Sequence, residues 1–487
     1  MHANSSKRRF GIVGGLGSLG AADIFFKLVK AMPARSGQYL PEIIFEQYPF
    51  RDDENPGEKS ASQNGRKLYV FDMLKKFESC KVDKVILPCF ISHTFIDELK
   101  SEIRLPIVNI MDAIHSHLVH RHPGVKKLGI LTSDYVRGKK LFERYFPAQD
   151  WTLIYPKKDI QGECVMAAIY GADGIKAGQL GGSSVELLAK ACVDLIEQGA
   201  DLIVPGMTEI PIVIDALLER GIPILDTNQI YAHHAASEHA QPEAKQFKVG
   251  VVGGVGPAAT VDFMNKIIRN TTAQRDQEHL KIVVEQNPQI PDRTENLLDG
   301  GTDPTIALYS TCKKLEAADA DIIAIPCNTV HAFVERIQPY LSIPVVNMLF
   351  ETVEHIKKSY ADRKVVGLLA TDGTIKSKVY SDVLTKAGLQ LLIPDDEHQK
   401  LVMNAIYGPK GVKAGFTDGE CKQNLFSALN FLADRGAEVI ILGCTELPLL
   451  LEQNDAFPAA GRTVVVLDPT EILARKCVSL CHSGSST

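Results

Sequence analysis

The chain repeats itself. Phe10-Gly11-Ile12-Val13-Gly14-Gly15 returns as Val249-Gly250-Val251-Val252-Gly253-Gly254, and Leu87-Pro88-Cys89 returns as Ile325-Pro326-Cys327. Pro106-Ile107-Val108-Asn109 is answered by Pro344-Val345-Val346-Asn347, and Ile175-Lys176-Ala177-Gly178 by Val412-Lys413-Ala414-Gly415. The offset drifts only from 239 (250 − 11) through 238 (327 − 89) to 237 (406 − 169, at Ile169 and Ile406), so the match stays in register along the chain. Two halves that share their buried positions at the same spacing must share a fold. The expected organisation is one copy over 1–235, a polar linker over 236–247 and a second copy over 248–487.

In the second copy, short runs rich in Val, Ile and Leu fall at 248–253, 281–285, 321–326, 344–347, 364–369, 390–393, 438–443 and 463–467, separated by longer helical patterns. Apolar runs without strict alternation, each followed by a helix, predict parallel strands buried on both faces. Each copy is too long for one small sheet and reads as two α/β lobes. Ligands of such sheets lie beyond the carboxyl ends of the strands, so the residues that follow each run carry the interest.

Composition excludes several classes. The chain is 45% hydrophobic and 23% charged, which is ordinary for a folded globular protein. With 53 Lys+Arg against 59 Asp+Glu and a net charge of −6, no basic face is implied, so neither nucleic acid nor an anionic membrane is expected as partner. No apolar run approaches the ~18 residues of a membrane helix, and the polar start Met-His-Ala-Asn-Ser-Ser lacks a secretory core. The ten cysteines form no CxxC pair, which fits a reducing cytoplasm.

Three signals carry chemistry. Gly15-Leu16-Gly17-Ser18-Leu19-Gly20 has the spacing of a dinucleotide loop, with Glu46 as the candidate ribose acid, but Gly254-Val255-Gly256-Pro257-Ala258-Ala259 loses the third glycine. A tight turn whose amides, Gly254 among them, face a small anion such as a carboxylate is the preferred reading. Cys327 and Cys444 each follow a buried run, in Ile-Pro-Cys327-Asn328-Thr329 and Leu-Gly-Cys444-Thr445-Glu446, and each precedes a helix-starting segment that should lower the thiol pKa toward neutrality. Arg293, in Ile-Pro-Asp-Arg, and Lys413 add cations suited to a dicarboxylate. His115, His117, His120 and His122 lack the spacing of a metal site; His331 and its counterpart His93 could orient a ligand or simply pack; Asp395-Asp396-Glu397 reads as a solvated loop.

With Gly-Gly-Val-Gly-Pro, Pro-Cys-Asn-Thr, Ile-Pro-Asp-Arg, Gly-Val-Lys-Ala-Gly and Gly-Cys-Thr-Glu-Leu in this order, residues 248–480 resemble the aspartate/glutamate racemase family, and within it the cofactor-independent aspartate racemase branch. The resemblance implies two flavodoxin-like lobes per copy, each a parallel sheet with helices on both faces, and a cleft that needs neither pyridoxal phosphate nor another cofactor nor a metal. It further implies that Cys327 and Cys444 are the acid/base thiols. Asn328, Thr329 and Thr445 would hold the α-carboxylate and amine, and Arg293 and Lys413 the side-chain carboxylate. Glutamate racemases of the family carry His where this chain has Glu446, which favours aspartate over glutamate. Other two-cysteine reactions of the superfamily, such as maleate isomerisation, and a non-catalytic amino-acid sensor stay open as alternatives.

The first copy keeps Cys89 and Lys176 but has Phe90 and Ile91 for Asn328 and Thr329, Asp173 for Lys410, and Tyr48-Pro49-Phe50-Arg51 where the Ile-Pro-Asp-Arg segment is lost. Met207 stands opposite Cys444, and a thioether has no proton to give. A pseudo-domain is expected, pairing with the second copy as an intramolecular stand-in for a homodimer.

Overall fold

The computed structural model describes residues 9–32, 41–48, 50, 59–237 and 247–484. Pro49, Arg51 and most of the expected linker lie outside them. The chain divides into two compact units, Met1–Glu243 and Ala244–Thr487. Among the described residues no helix is long and apolar enough to cross a membrane.

In the first unit, β1 (Arg9–Val13), β2 (Glu42–Glu46), β3 (Lys84–Ile86) and β4 (Ile107–Val108) form a parallel sheet in the order β2-β1-β3-β4. A second parallel sheet orders β5 (Lys127–Thr132), β6 (Thr152–Ile154) and β7 (Leu202–Gly206) as β6-β5-β7. The second unit repeats the plan. Here β8 (Lys248–Gly253), β9 (Lys281–Gln286), β10 (Ile322–Ala324) and β11 (Val345–Val346) run in the order β11-β10-β8-β9, the same arrangement read from the other edge. Its second sheet is β13-β12-β14-β16-β15, from β12 (Val365–Leu369), β13 (Gln390–Leu392), β14 (Val439–Leu442), β15 (Asn454–Ala459) and β16 (Arg462–Leu467).

Successive strand residues enter different cores, as they must when helices cover both faces. Val366, Leu368, Val439 and Ile441 pack with the helices Met348–Ser359 and Val379–Lys386, while Leu369, Ile440 and Leu442 pack with Glu420–Asp434. The carboxyl-terminal helix Pro469–Gly484 returns to the first sheet, where Leu473, Ala474 and Cys477 join Val249 and Val251. Register is kept down to single dihedrals: Lys140 and Lys378, 238 apart (378 − 140), both adopt a left-handed φ (52° and 57°) just before a helix.

All eight expected runs of the second copy form strands, with ends within two residues of those expected; 321–326 shortens to Ile322–Ala324 before Pro326, which has no N–H for a ladder. Two expectations are corrected. The second sheet of this unit is not wholly parallel, because β15 pairs antiparallel with β16 through a two-residue turn, Ala460-Gly461, both at positive φ. The edge position lets β15 tolerate Pro458, which hid it from an apolar-run search. Asp395-Asp396-Glu397 is also no loop: Asp395 caps the helix Asp396–Tyr407 by accepting from the His398 N–H at 3.0 Å.

In both sheets of the second unit the strand order reverses at the centre, between β8 and β10 and between β12 and β14. Such switch points open a crevice at the carboxyl ends of the strands. Cys327 follows β10 and Cys444 follows β14.

Candidate active site

The glycine turn after β8 sets one wall. Gly254 (φ 87°) passes so close to the backbone of Asn287 that a Cβ would stand 2.3 Å from its carbonyl carbon, and its N–H donates to Thr260 Oγ1 at 3.3 Å. The anion facing this loop belongs to the protein itself. At Gly256 (φ 126°) a Cβ would come within 2.5 Å of Glu446 Oε1, so only glycine lets that carboxylate approach. Gly17 does the same for Glu209 in the first unit, where an added Cβ would meet Glu209 Oε1 at 2.8 Å. The dinucleotide-like spacing is thus explained by packing against a glutamate from the opposite lobe.

Glu446 is the residue whose role was not foreseen. It is buried at 3% exposure, accepts the Cys444 S–H on Oε2 at 3.0 Å and pairs with Lys413 Nζ through Oε1. Thr445 also reaches it, at 3.5 Å. Burial first, and then the neighbouring Glu446 charge, push the Cys444 thiol well above its usual range. This corrects the expected lowering: the segment after Cys444 is only a three-residue 3₁₀ turn, Leu447–Leu449, too short to offset burial beside a carboxylate. Burial would lower Lys413, but Glu446 outweighs it and the ammonium is held protonated above its ordinary value. The Lys413 ammonium lies 5.4 Å from the Tyr407 ring centre.

On the other lobe, Asp292 caps the helix Arg293–Asp299 by accepting from Glu295 N–H at 2.9 Å, and this places Arg293 beside Cys327. Burial works against the guanidinium's charge, yet Cys327 and Asp292 lift its pKa overall. Its Nη1 donates to the carbonyls of Ile290 and Pro291 at 3.3 and 3.1 Å, while the buried Nε has no hydrogen-bond partner among the described residues. Asn328 receives the Tyr380 hydroxyl on Oδ1 at 2.6 Å, and its buried Nδ2 likewise has no hydrogen-bond partner among the described residues. Thr329 Oγ1 stands 2.7 Å from Thr374 Oγ1, and Thr294 donates to Thr371 at 3.3 Å.

These bonds close the seam between the lobes. Residues directly after Cys327 reach Tyr380 and Thr374 of the second lobe, and Glu446, two residues after Cys444, reaches Gly256 of the first. Tyr407 lies between, raised to about 12 by burial and by the charges of Asp292 and Cys444, with Lys413 opposing. The expected residues Arg293, Cys327, Asn328, Thr329, Lys413, Cys444 and Thr445 therefore gather on one seam. Gly254 shapes the loop behind it.

His331 is a brace. Its Nε2 accepts from the Met348 N–H at 3.2 Å, so Nδ1 carries the proton and donates to the Cys327 carbonyl at 2.9 Å. His93 repeats this with the Ile110 N–H at 3.1 Å and the Cys89 carbonyl at 2.8 Å. Burial pushes both imidazoles down, His93 to about 4. Each ring pins a cysteine-bearing turn to the next strand's exit.

In the first unit, Cys89 and Met207 line one small cavity with Lys176 and Glu209. Lys176 pairs with Glu209 at 3.3 Å, as Lys413 does with Glu446.

Against known families, the Asp/Glu/Hydantoin racemase model matches residues 13–235 and again 252–477. The chain belongs to that family. It does so twice over, and the two matches are the two copies of the repeat. A broad specificity amino-acid racemase, RacX, from Bacillus subtilis is 28% identical over 239 residues, 47% of this chain and 96% of the relative. A glutamate racemase from Limosilactobacillus reuteri is 29% identical over 163 residues, 32% of this chain and 55% of its own length. Among solved structures, Picrophilus torridus aspartate racemase aligns at 29% identity with a TM-score of 0.43, over 48% of this chain and 94% of its own. Membership of the family puts the chain among the amino-acid racemases that work without a cofactor.

Proposed function

We propose that the second copy interconverts L- and D-aspartate, and glutamate as a second substrate, by two-base proton transfer between Cys327 and Cys444. The observation that carries this reading is the state of Cys444: a buried thiol bonded to Glu446 and kept protonated, on the same seam as a second sulfur with a guanidinium beside it. Inverting a stereocentre takes a base on one face of the α-carbon and an acid on the other. The Cys327 thiolate, steadied by Arg293, removes the α-proton; the electron pair spreads into the α-carboxylate; the Cys444 S–H delivers a proton to the opposite face. In the reverse direction the roles exchange: the Cys444 thiolate left by the forward step takes the α-proton and the Cys327 S–H delivers one to the opposite face.

The ligand is expected to be rich in acceptors, because Arg293 Nε and Asn328 Nδ2 are buried donors without an acceptor among the described residues. Asn328, Thr329 and Thr445 would hold the α-carboxylate and amine; Arg293, with Lys413, would take the side-chain carboxylate. Glutamate at 446, in place of histidine, favours aspartate. The named relatives, a broad specificity amino-acid racemase and a glutamate racemase, are in keeping with an amino-acid substrate. The first copy, with Met207 for the second sulfur, takes no part in this reaction.

Proton NMR of L-aspartate and of L-glutamate in D₂O tests the proposal. The α-proton signal should fade while the enantiomer accumulates, faster for aspartate. Absence of α-exchange with both substrates would sink it.

A further inference from the structure

Four threonine hydroxyls cross the seam of the second unit. Thr294 Oγ1, on the first lobe, donates to Thr371 Oγ1 on the second at 3.3 Å. Thr371 Oγ1 lies 3.1 Å from Thr374 Oγ1, and Thr374 Oγ1 lies 2.7 Å from Thr329 Oγ1, back on the first lobe. All four side chains are buried. A hydroxyl has one proton and two lone pairs, so the direction of each bond in such a chain limits the next.

Thr371 fixes the direction. It accepts from Thr294 and also, as the cap of the helix Asp372–Lys376, from the Thr374 N–H at 3.3 Å, which fills both lone pairs. Its own proton therefore goes to Thr374. The Thr374 hydroxyl is 1% exposed and has only Thr371 and Thr329 as partners among the described residues. Were Thr329 to donate to it, the Thr374 proton would be buried without an acceptor, which is the costly arrangement. Thr374 thus donates to Thr329, and the proton left over is that of Thr329. Its neighbour is turned the same way: Asn328 Oδ1 is taken by the Tyr380 hydroxyl, and the buried Nδ2 has no acceptor among the described residues. Both residues directly after Cys327 present donors.

We infer that Thr374 is a positioning residue that sets Thr329 as a donor, and that Thr329 and Asn328 together take the substrate's α-carboxylate and not its ammonium. A carboxylate only accepts and an ammonium only donates, so a pair of donors tells the two apart. Of the three residues assigned to that end of the substrate, Thr445 is left for the ammonium. The inference rests on the reading of this seam as an amino-acid site.

Ligand-observed NMR titrations of the full chain test it with L-aspartate and with succinate, which has both carboxylates and no ammonium. The chains compared are wild type, Thr374→Val, Thr374→Ser, Thr329→Val and Thr329→Val/Thr374→Val. The first unit carries a buried Val136 at the position of Thr374 (374 − 238), so the fold accommodates this change. Thr374→Val should weaken both ligands about tenfold, the worth of one hydrogen bond to a charged group, and Thr374→Ser should stay within about twofold of wild type. In the Thr329→Val background the same change should shift neither ligand by more than about twofold, because Thr374 acts through Thr329. Weaker aspartate with unchanged succinate would give the ammonium to Thr329 and overturn the inference. So would an equal loss with and without Thr329, which would make Thr374 structural only, unchanged binding in Thr374→Val, or failure of either ligand to bind wild type up to about 10 mM. Exchange of the α-proton in D₂O reports separately on the reaction: the expected binding pattern without exchange would refute the racemase reading and leave this inference standing.

Discussion

Cys444 donates its S–H to Glu446 Oε2 across 3.0 Å, and the same carboxylate holds Lys413 on its other oxygen. The proton on this sulfur is therefore held by a charge that comes from two residues along the chain and is kept in place by a lysine thirty-one residues before it (444 − 413). The other sulfur, Cys327, has a cation for a neighbour instead.

Replacing either sulfur should end racemisation. Cys327→Ala and Cys444→Ala are each expected to lower the rate by at least about 10²–10⁴-fold, the usual worth of a positioned acid or base. Chiral chromatography of L-aspartate incubations measures it, and full activity in either variant would refute the assignment.

Glu446→Gln removes the negative charge that raises the Cys444 thiol, and leaves Lys413, which lowers it, unopposed. The thiolate should then appear at lower pH than in the wild type. Ultraviolet thiolate absorbance of Glu446→Gln, with Glu446→Gln/Cys444→Ala subtracted, follows it; an unchanged or higher titration would show that Glu446 does not govern the proton.

Met207→Cys should not restore a second racemase site. In a full-length chain carrying Cys327→Ala, the new thiol would face Cys89 across a wall of Phe90, Ile91 and Val136, without the amide and hydroxyls of Asn328, Thr329 and Thr374. No enantiomer exchange with aspartate is expected, and measurable racemisation would mean that the thiols alone suffice.

His93 makes the first unit's stability depend on pH. Burial lowers its pKa from 6.5 to about 4, so between those values the unfolded chain binds more protons than the folded one. Stability from this group is complete above about pH 6.5 and falls as pH drops toward 4, by about 3 kcal/mol at most. Trp151, the single tryptophan, sits in the first unit's core and reports its unfolding. Urea unfolding followed by its fluorescence should show a shallower slope with pH in His93→Gln; an equal slope would assign the acid sensitivity elsewhere.

Features written in neighbouring residues could be read without coordinates. The repeat, the eight apolar runs of the second copy and the cysteines at the ends of β10 and β14 are local patterns, and a buried parallel strand announces itself by its own composition. Strand β15 escaped because its edge position permits Pro458 and polar residues. The helix-dipole expectation for Cys444 failed because a thiol's pKa answers to whatever lies around it, and Glu446 counted only once the fold had pressed it against Gly256. Coupled pairs were hidden for the same reason: Asn328 with Tyr380 and Phe90 with Phe142 stand 52 residues apart (380 − 328, 142 − 90). Backbone conformation follows from near neighbours along the chain, whereas proton affinity and the polarity of a cleft come from side chains that meet only after the lobes have closed.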